Sequence, residues 1–405
     1  MQRGGALICA IVIVLGLLGP AAGQGTVRLT HGKVVLAVIN DQSGVYADIG
    51  GKHGVEAVRM AVEDFQKKYG AGAVGGPIEV LSADHQNKPD VGASKAAEFY
   101  DRNNANAIID VPTSSVGIAI AHVAAQKHRL FLAVGAATKA LTNEDCNKYT
   151  FHWAYDTYML GHGTGTEVTK RVGKKWYVVY PNYAYGQDMN RSFTAAIEKA
   201  GGKVMLSDAT PWPNETEDFS TFLIKARTLR PGGVTVLGAM QAGQDLTNLV
   251  KQFNEFGLRQ QGINLAIGLL FISDIHSLTP AALEGTIYTT AWSDRFFARD
   301  KTRPSYPVAG NYSATWQYLE AVRRAGTDDP DIVVAALEGY KFSDFFIRNG
   351  EIRKQDHAVI HDAYLAQVKA PKDVKEPWDY VQILSKIPAN EAFQPLSENT
   401  CHMAR

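Results

Sequence analysis

Two short stretches combine small size with hydroxyl groups, and their spacing places them side by side. Thr113-Ser114-Ser115 follows the apolar run AIID (107–110), and Ala136-Ala137-Thr138 follows RLFLAV (129–134). A segment with helical spacing, 115–127, lies between them. Small residues let the backbone approach a ligand closely, and hydroxyls add donors. A helix that starts after Ser115 offers free N–H groups and the positive end of its dipole. This combination suits a small anion such as a carboxylate. Serine and threonine are also ordinary helix caps, and that simpler reading stays open.

Other predicted strand ends carry further candidates. The first strand is followed by Asp41-Gln42-Ser43-Gly44-Val45-Tyr46, and the run 176–181 by Asn182-Tyr183-Ala184-Tyr185-Gly186. Gly238-Ala239-Met240-Gln241 and Ser273-Asp274 close two later runs. Aromatic rings at such tips stack on ligands or cover an edge. Asp274 could meet an ammonium or amide group, or cap a helix.

Catalytic signatures are missing. The chain has no G-x-S-x-G elbow, no H-E-x-x-H and no C-x-x-C. Gly51-Lys52-His53 lacks the earlier glycine and the hydroxyl of a phosphate loop, and the glycines of 161–165 follow no clear strand. His357 and His361 flank a strand-like run, so they share no helical face for a metal. A hydrolase would need a nucleophile beside a base. His276 is the one histidine expected near a strand-end loop of the cleft. The candidates are equipment for gripping a solute, with no cofactor and no metal.

Alternating strand and helix patterns must position these residues. Strand-like 33–40, 77–84, 107–110 and 129–134 alternate with helical 51–68, 90–102 and 115–127. The pattern restarts with strands at 176–181, 203–208, 234–238 and 265–271, and helices at 186–200, 217–229 and 242–256. Repeated βα units imply parallel sheets with helices on both faces. Two such series predict an α/β protein with two doubly wound parallel-sheet lobes. Farther on, 308–326 and 330–338 look helical, 360–369 looks like a strand, and a polar, Pro-rich tail follows.

The chain has 405 residues with 41 Lys+Arg and 41 Asp+Glu, a balance that gives no reason to expect nucleic acid as partner. Arg3, the apolar run ALICAIVIVLGLLG (6–19) and Ala21-Ala22-Gly23 read as a secretory signal peptide over 1–23. The run is short for a membrane span. Cleavage would leave two cysteines, Cys146 and Cys401. In an oxidising compartment they are expected to pair, the alternative being two free thiols.

These features together resemble the type I periplasmic solute-binding proteins of ABC transporters, in the branched-chain amino acid (Leu/Ile/Val-binding) class. The resemblance rests on SGVYADIGG (43–51), TSS and GAAT at this spacing, YAYG (183–186), SDFFIRNGEIR (343–353), HDAYLAQVKAP (361–371), PWDY (377–380) and IPANEAFQPL (387–396). It covers essentially the whole mature chain. It implies a monomeric two-lobed clamp with three hinge crossings, near 149–153, 289–293 and 352–358. The first lobe is then 27–149 plus 292–352, and the second 150–291 plus 353–405.

The resemblance also assigns roles. Ser115 and Thr138 resemble the hydroxyls that hold a ligand carboxylate, and Ala136 the backbone that does the same. Tyr46 and Tyr185 resemble aromatics lining the cleft. In amino-acid binders an acidic residue grips the ammonium. Its counterpart here is either apolar or Asp274, and a lining aromatic is replaced by Met240. The expected ligand is a small carboxylate-bearing solute, either an amino acid or an aromatic or aliphatic acid. The closed clamp would deliver it to an ABC permease from the periplasm. A sensor subunit docking on a signalling receptor is the alternative, and an exported hydrolase a third.

Overall fold

The computed structural model describes residues 27–213, 216–291 and 304–403. The expected signal peptide and residue 292, the expected start of a lobe segment, lie outside the described residues. The first series comprises β1 (Val34–Asn40), α1 (Gly51–Tyr69), β2 (Ile78–Asp84), α2 (Pro89–Arg102), β3 (Ala107–Asp110), α3 (Ser114–Lys127), β4 (Leu130–Ala133) and β5 (Thr150–His152). Its five strands form one parallel sheet in the order β2-β1-β3-β4-β5. After the short helices α4 (Thr157–Leu160) and α5 (Thr166–Arg171) comes the second series. It consists of β6 (Lys175–Pro181), α6 (Ala184–Lys199), β7 (Lys203–Thr210), α7 (Ser220–Leu229), β8 (Val236–Ala239), α8 (Gly243–Glu255) and β9 (Asn264–Ile267). Those strands form a second parallel sheet, β7-β6-β8-β9.

Both sheets therefore reverse direction at the same place, between their first and third strands. An open α/β sheet binds ligand at that switch point, beyond the carboxyl ends of its strands. The interior strand β1 is apolar from Val34 to Ile39 and fully buried along its length, as helices on both faces require. In α1, Val55, Val58, Val62 and Phe65 recur at helical spacing and all are buried.

The rest of the chain completes both lobes. It comprises α9 (Ile272–Leu278), α10 (Pro280–Leu283), β10 (Ile287–Thr290), α11 (Tyr306–Ala325), α12 (Pro330–Leu337), β11 (Lys341–Phe342), β12 (Gly350–Ile352), β13 (Val359–Ile360), β14 (Ala363–Val368), β15 (Val381–Ile387) and α13 (Ala389–Ala392). Helix α11 packs on α1, so it belongs with the first sheet. Two antiparallel sheets, β10-β14-β15 and β11-β12-β13, were not legible in the sequence.

Three expectations need correction. The strand expected over 265–271 ends at Ile267, because the chain turns through Gly268 into the loop before α9. The strand expected over 360–369 is broken. His361 turns inward and its ring nitrogens lie 2.9 Å from the carbonyls of Ala154 and Asp362. The tail contains β15, whose residues are all at least partly exposed, so it carries no apolar alternation to read.

The tail is also anchored. Cys146 and Cys401 form a disulfide across 255 residues of sequence. Asn143 Nδ2 donates to Gln394 Oε1 at 2.9 Å, and Asn399 Nδ2 to the Thr142 carbonyl at 2.9 Å. Among the described residues no helix is long and apolar enough to cross a membrane.

A crosslink over so long a loop restricts the unfolded chain strongly. Replacing both cysteines by serine is expected to lower stability by about 2–5 kcal/mol. Denaturant unfolding of the double variant checks this, and an unchanged midpoint would show that the tail's hydrogen bonds suffice alone.

Candidate functional site

The carboxyl ends of the two parallel sheets face one another, and aromatic side chains fill the space between them. From the loops beyond the first sheet come Tyr46 and Ile49 after β1, Pro112 after β3, Gly135 and Ala137 after β4, and Tyr155 after β5. From the second come Tyr183 and Tyr185 after β6, Ala242 after β8 and Leu269 after β9. They enclose a cavity of about 10 Å³, room for roughly one water.

The lobes touch directly. The hydroxyls of Tyr46 and Tyr183 share a hydrogen bond of 2.7 Å. Trp212 stacks on Tyr183 with centroids 4.0 Å apart and on Tyr46 at 5.3 Å. The Gln244 N–H donates to the Val45 carbonyl at 3.2 Å. Deeper in, Tyr306 packs edge-on against Tyr155 at 4.9 Å and against Phe271 at 4.7 Å. Tyr155 donates to the Gly135 carbonyl at 2.7 Å. Burial holds the phenols of Tyr46, Tyr183, Tyr185 and Tyr306 well above their ordinary range, so each stays neutral. The Tyr185 and Tyr306 hydroxyls are buried without a hydrogen-bond partner.

A line of hydrogen bonds links the loops behind these rings. Asp41 accepts the amides of Gly44 at 2.7 Å and Tyr46 at 2.8 Å, which shapes the loop after β1. Asn87 Nδ2 donates to Asp41 Oδ2 at 2.6 Å, and Asn87 Oδ1 accepts from Thr113 Oγ1. The Thr138 N–H donates to Ser114 Oγ at 3.2 Å, so the two hydroxyl-bearing loops do lie together. Thr138 Oγ1 then donates to Asp188 Oδ2 at 3.1 Å. That carboxylate is 1% exposed. It also accepts from the Lys139 N–H at 2.9 Å and from Thr157 Oγ1 at 2.6 Å.

Of the residues singled out in the sequence, Tyr46 and Tyr185 border the cavity. Ser115, Ala136, Thr138, Met240 and Asp274 do not. Ser115 is half-buried on the first turn of α3, and it is the neighbouring Ser114 that joins the two loops. The Ala136 carbonyl lies 2.6 Å from His152 Nε2. Met240 is fully buried behind the cleft, against Gly238 and Gly268. Asp274 Oδ2 accepts the Phe271 N–H at 2.8 Å at the start of α9. Burial pushes its carboxyl up to about 7, aided by the charge of Asp48 and opposed by that hydrogen bond.

Sequence reasoning missed Tyr155, Trp212 and Asp188. Tyr155 follows a strand of three residues, too short for a pattern. Asp188 reads as an ordinary polar helix residue until the fold brings Thr138 to it. His276 Nδ1 lies 2.7 Å from the Tyr380 hydroxyl and the ring stacks on Trp378 at 4.1 Å. His357 stacks on Phe151 at 4.1 Å, with Nε2 3.2 Å from Glu338. Among the described residues no cluster could hold a metal ion.

A cleft of rings and hydroxyls between two lobes of this strand order directs the comparison with known proteins. Residues 33–373 match the family model described as periplasmic binding protein. The chain belongs to the periplasmic binding protein family. A periplasmic binding protein from Burkholderia mallei is 39% identical, with 92% of this chain and 99% of that one covered and a TM-score of 0.86. A branched chain amino acid ABC transporter periplasmic ligand-binding protein from Burkholderia xenovorans LB400 is 33% identical over 91% and 99% of the chains, with a TM-score of 0.78. A solute binding protein of an ABC transporter from Rhodopseudomonas palustris BisB5, in complex with 3,4-dihydroxy benzoic acid, shares the fold. It is 21% identical over 88% and 98%, with a TM-score of 0.76. A search of curated proteins gives no match. This periplasmic binding protein is therefore a substrate-binding protein and not an enzyme. Its family implies a periplasmic location.

Gly243 stands where the two sides of the cleft meet. Gly243 has φ +61°, and a Cβ added there would lie 2.2 Å from the Val45 carbonyl oxygen of the other lobe. Gly243→Ala is expected to weaken solute binding about tenfold or more, given backbone strain of ~1–3 kcal/mol plus the clash. Gly32→Ala, at a positive-φ site with open space around it, should leave binding unchanged. Calorimetry on both variants checks this, and equal effects would rule out a closure-specific role.

Proposed function

We propose that this protein is the solute receptor of an ABC importer, exported by its N-terminal signal peptide, and that its solute is a small aromatic acid. The observation that carries this reading is the ring-lined cleft with the orphaned phenol hydroxyl of Tyr185 at its wall and that of Tyr306 behind it. Flat rings between Tyr and Trp side chains gain stacking as well as area burial. A buried hydroxyl without a partner is costly unless a ligand group meets it. A ring hydroxyl or a bridging water would satisfy Tyr185 or Tyr306.

The carboxylate would lie against the loops 112–115 and 135–138, at the N-terminus of α3, with Ser115 and the Ala136 backbone as its anchors; Thr138, whose hydroxyl is held by Asp188, would position the second loop. Side-chain rotation and partial opening would make room for the ring. A 3,4-dihydroxybenzoic acid complex of a protein with this fold supports the class. Amino acids are the second reading, favoured by the Burkholderia xenovorans relative, a branched chain amino acid ABC transporter periplasmic ligand-binding protein. Against them, Asp274 is engaged by Phe271 and raised to about 7, which weakens it as a partner for an ammonium group. A permease as docking partner and a monomeric state belong to the same proposal.

A thermal-shift panel tests it: benzoate, 4-hydroxybenzoate, 3,4-dihydroxybenzoate, leucine and an aliphatic acid. Ligand at a hundred times its Kd adds about 2.7 kcal/mol of stability. The expected result is stabilisation by hydroxybenzoates. Tyr185→Phe should then weaken 4-hydroxybenzoate several-fold, for a lost hydrogen bond of about 1 kcal/mol, while leaving benzoate unchanged. Stabilisation by leucine alone, lost in Asp274→Ala, would replace the aromatic acid with an amino acid.

A further inference from the structure

The last residue of β3 carries a carboxylate that no role so far accounts for. Asp110 is fully buried. Its Oδ2 accepts from Asn40 Nδ2 at 3.0 Å, whereas Oδ1 has no partner. A methyl group on Gly54 would lie 2.6 Å from Oδ2, and one on Gly135 would lie 3.1 Å from Oδ1 and 2.7 Å from the Pro112 Cα. The orphaned oxygen thus lies against Gly135, which together with Pro112 forms one wall of the cleft.

The backbone there is unusual too. Asp110 and Val111 have φ of +87° and +69°, the left-handed region that a β-branched residue such as valine rarely enters. Consecutive outliers of this kind persist where the surroundings hold them, and they concentrate at functional sites. Here they aim the chain into the loop that begins at Pro112.

We propose that Asp110 is a specificity-determining residue that makes capture of an anionic solute take up a proton. The proposal rests on the carboxylate-bearing solute proposed above. A carboxylate at the wall formed by Pro112 and Gly135 is separated from Asp110 Oδ1 only by that backbone. Two anions so placed in a dry site repel strongly. Protonating Asp110 removes the repulsion, and Oδ1 has no hydrogen bond to lose.

The surroundings make that proton accessible. From β1 and α11 the carboxylate is faced by Asn40 and Asn311, both uncharged. Asn311 lies beside Oδ2 without a regular hydrogen bond from its amide. From α1 it is faced by glycine backbone, and from the segment after β5 by Tyr155, whose phenol is raised chiefly by burial and further by the Asp110 charge. No cation is among the groups that shift it. Burial therefore raises the carboxyl to about 6, with Asn311 and Asn40 holding it back. An anion arriving at the wall pushes it higher still, so binding strengthens as pH falls. Uncharged solutes escape the effect.

The test is calorimetry of the mature protein with 4-hydroxybenzoate in two buffers of different ionisation enthalpy, from pH 8 to 5.5. Wild type is expected to take up protons on binding and to gain affinity as pH falls, about tenfold for each unit by which the anion raises the Asp110 pKa. Asp110→Asn should show neither effect and should bind more tightly than wild type at pH 8. Asp274→Asn should keep the uptake. Uptake that survives in Asp110→Asn, or wild-type binding without uptake, overturns the proposal and leaves the carboxylate reading standing. Failure of every carboxylate in the panel to bind overturns both. Should Asp110→Asn not fold, carbon-13 NMR of the wild-type Asp110 carboxyl decides. Its midpoint must rise when 4-hydroxybenzoate is added, and a stationary midpoint sinks the idea.

Discussion

One line of hydrogen bonds holds the mouth of the molecule in place, and the arrangement of the cleft depends on it. It runs from Asp41 through Asn87 to Thr113, and from Ser114 through Thr138 to Asp188. Each step joins the loop beyond one parallel strand to the loop beyond the next, and the last step reaches into the other lobe. Parallel strands end without hairpins, so their loops share no ladder hydrogen bonds. Side chains must register them instead. Short polar residues do so here, and being buried they are costly to leave unpaired.

This arrangement explains why hydroxyl-bearing loops need not mean hydroxyls on the solute. Thr113 and Ser114 serve neighbouring loops, and Thr138 serves a carboxylate of the protein's own. What remains facing the cleft is aromatic. The second lobe contributes tyrosines from the turn into α6, and α6 also carries Asp188. The same helix thereby presents rings to the cleft and a carboxylate to the first lobe's loops.

Much of this was legible in the sequence. The two series of apolar runs and helical spacings gave both parallel sheets except the three-residue β5, and interior strands such as β1 and β8, buried on both faces, read as the clearest apolar runs. Tyr46 and Tyr185 were visible as aromatics beyond strand ends. The antiparallel additions were not, since β11 and β13 have two residues each and β15 is an exposed edge. The Cys146–Cys401 pairing followed from counting the cysteines that cleavage of the expected signal peptide would leave. Asp188 and Asp110 were invisible for a different reason. Their significance lies in partners far away in sequence, and a single aspartate gives no periodic signal.

The return of the chain to its first lobe has a consequence for how the protein comes to be folded. Helix α1 rests on α11, Thr30 is bonded to Asp328, and Asn106 Nδ2 reaches Asp328 Oδ2 at 3.0 Å across 222 residues. A chain made from its N-terminus cannot complete that lobe until about four-fifths of it has emerged. The second parallel sheet, whose strands lie between Lys175 and Ile267, is contiguous and can assemble earlier. Long-range closure of this kind is slow relative to local pairing. Order of assembly thus runs against order of synthesis. The half that is made first waits, with its apolar α1 face uncovered, for a helix encoded near the other end.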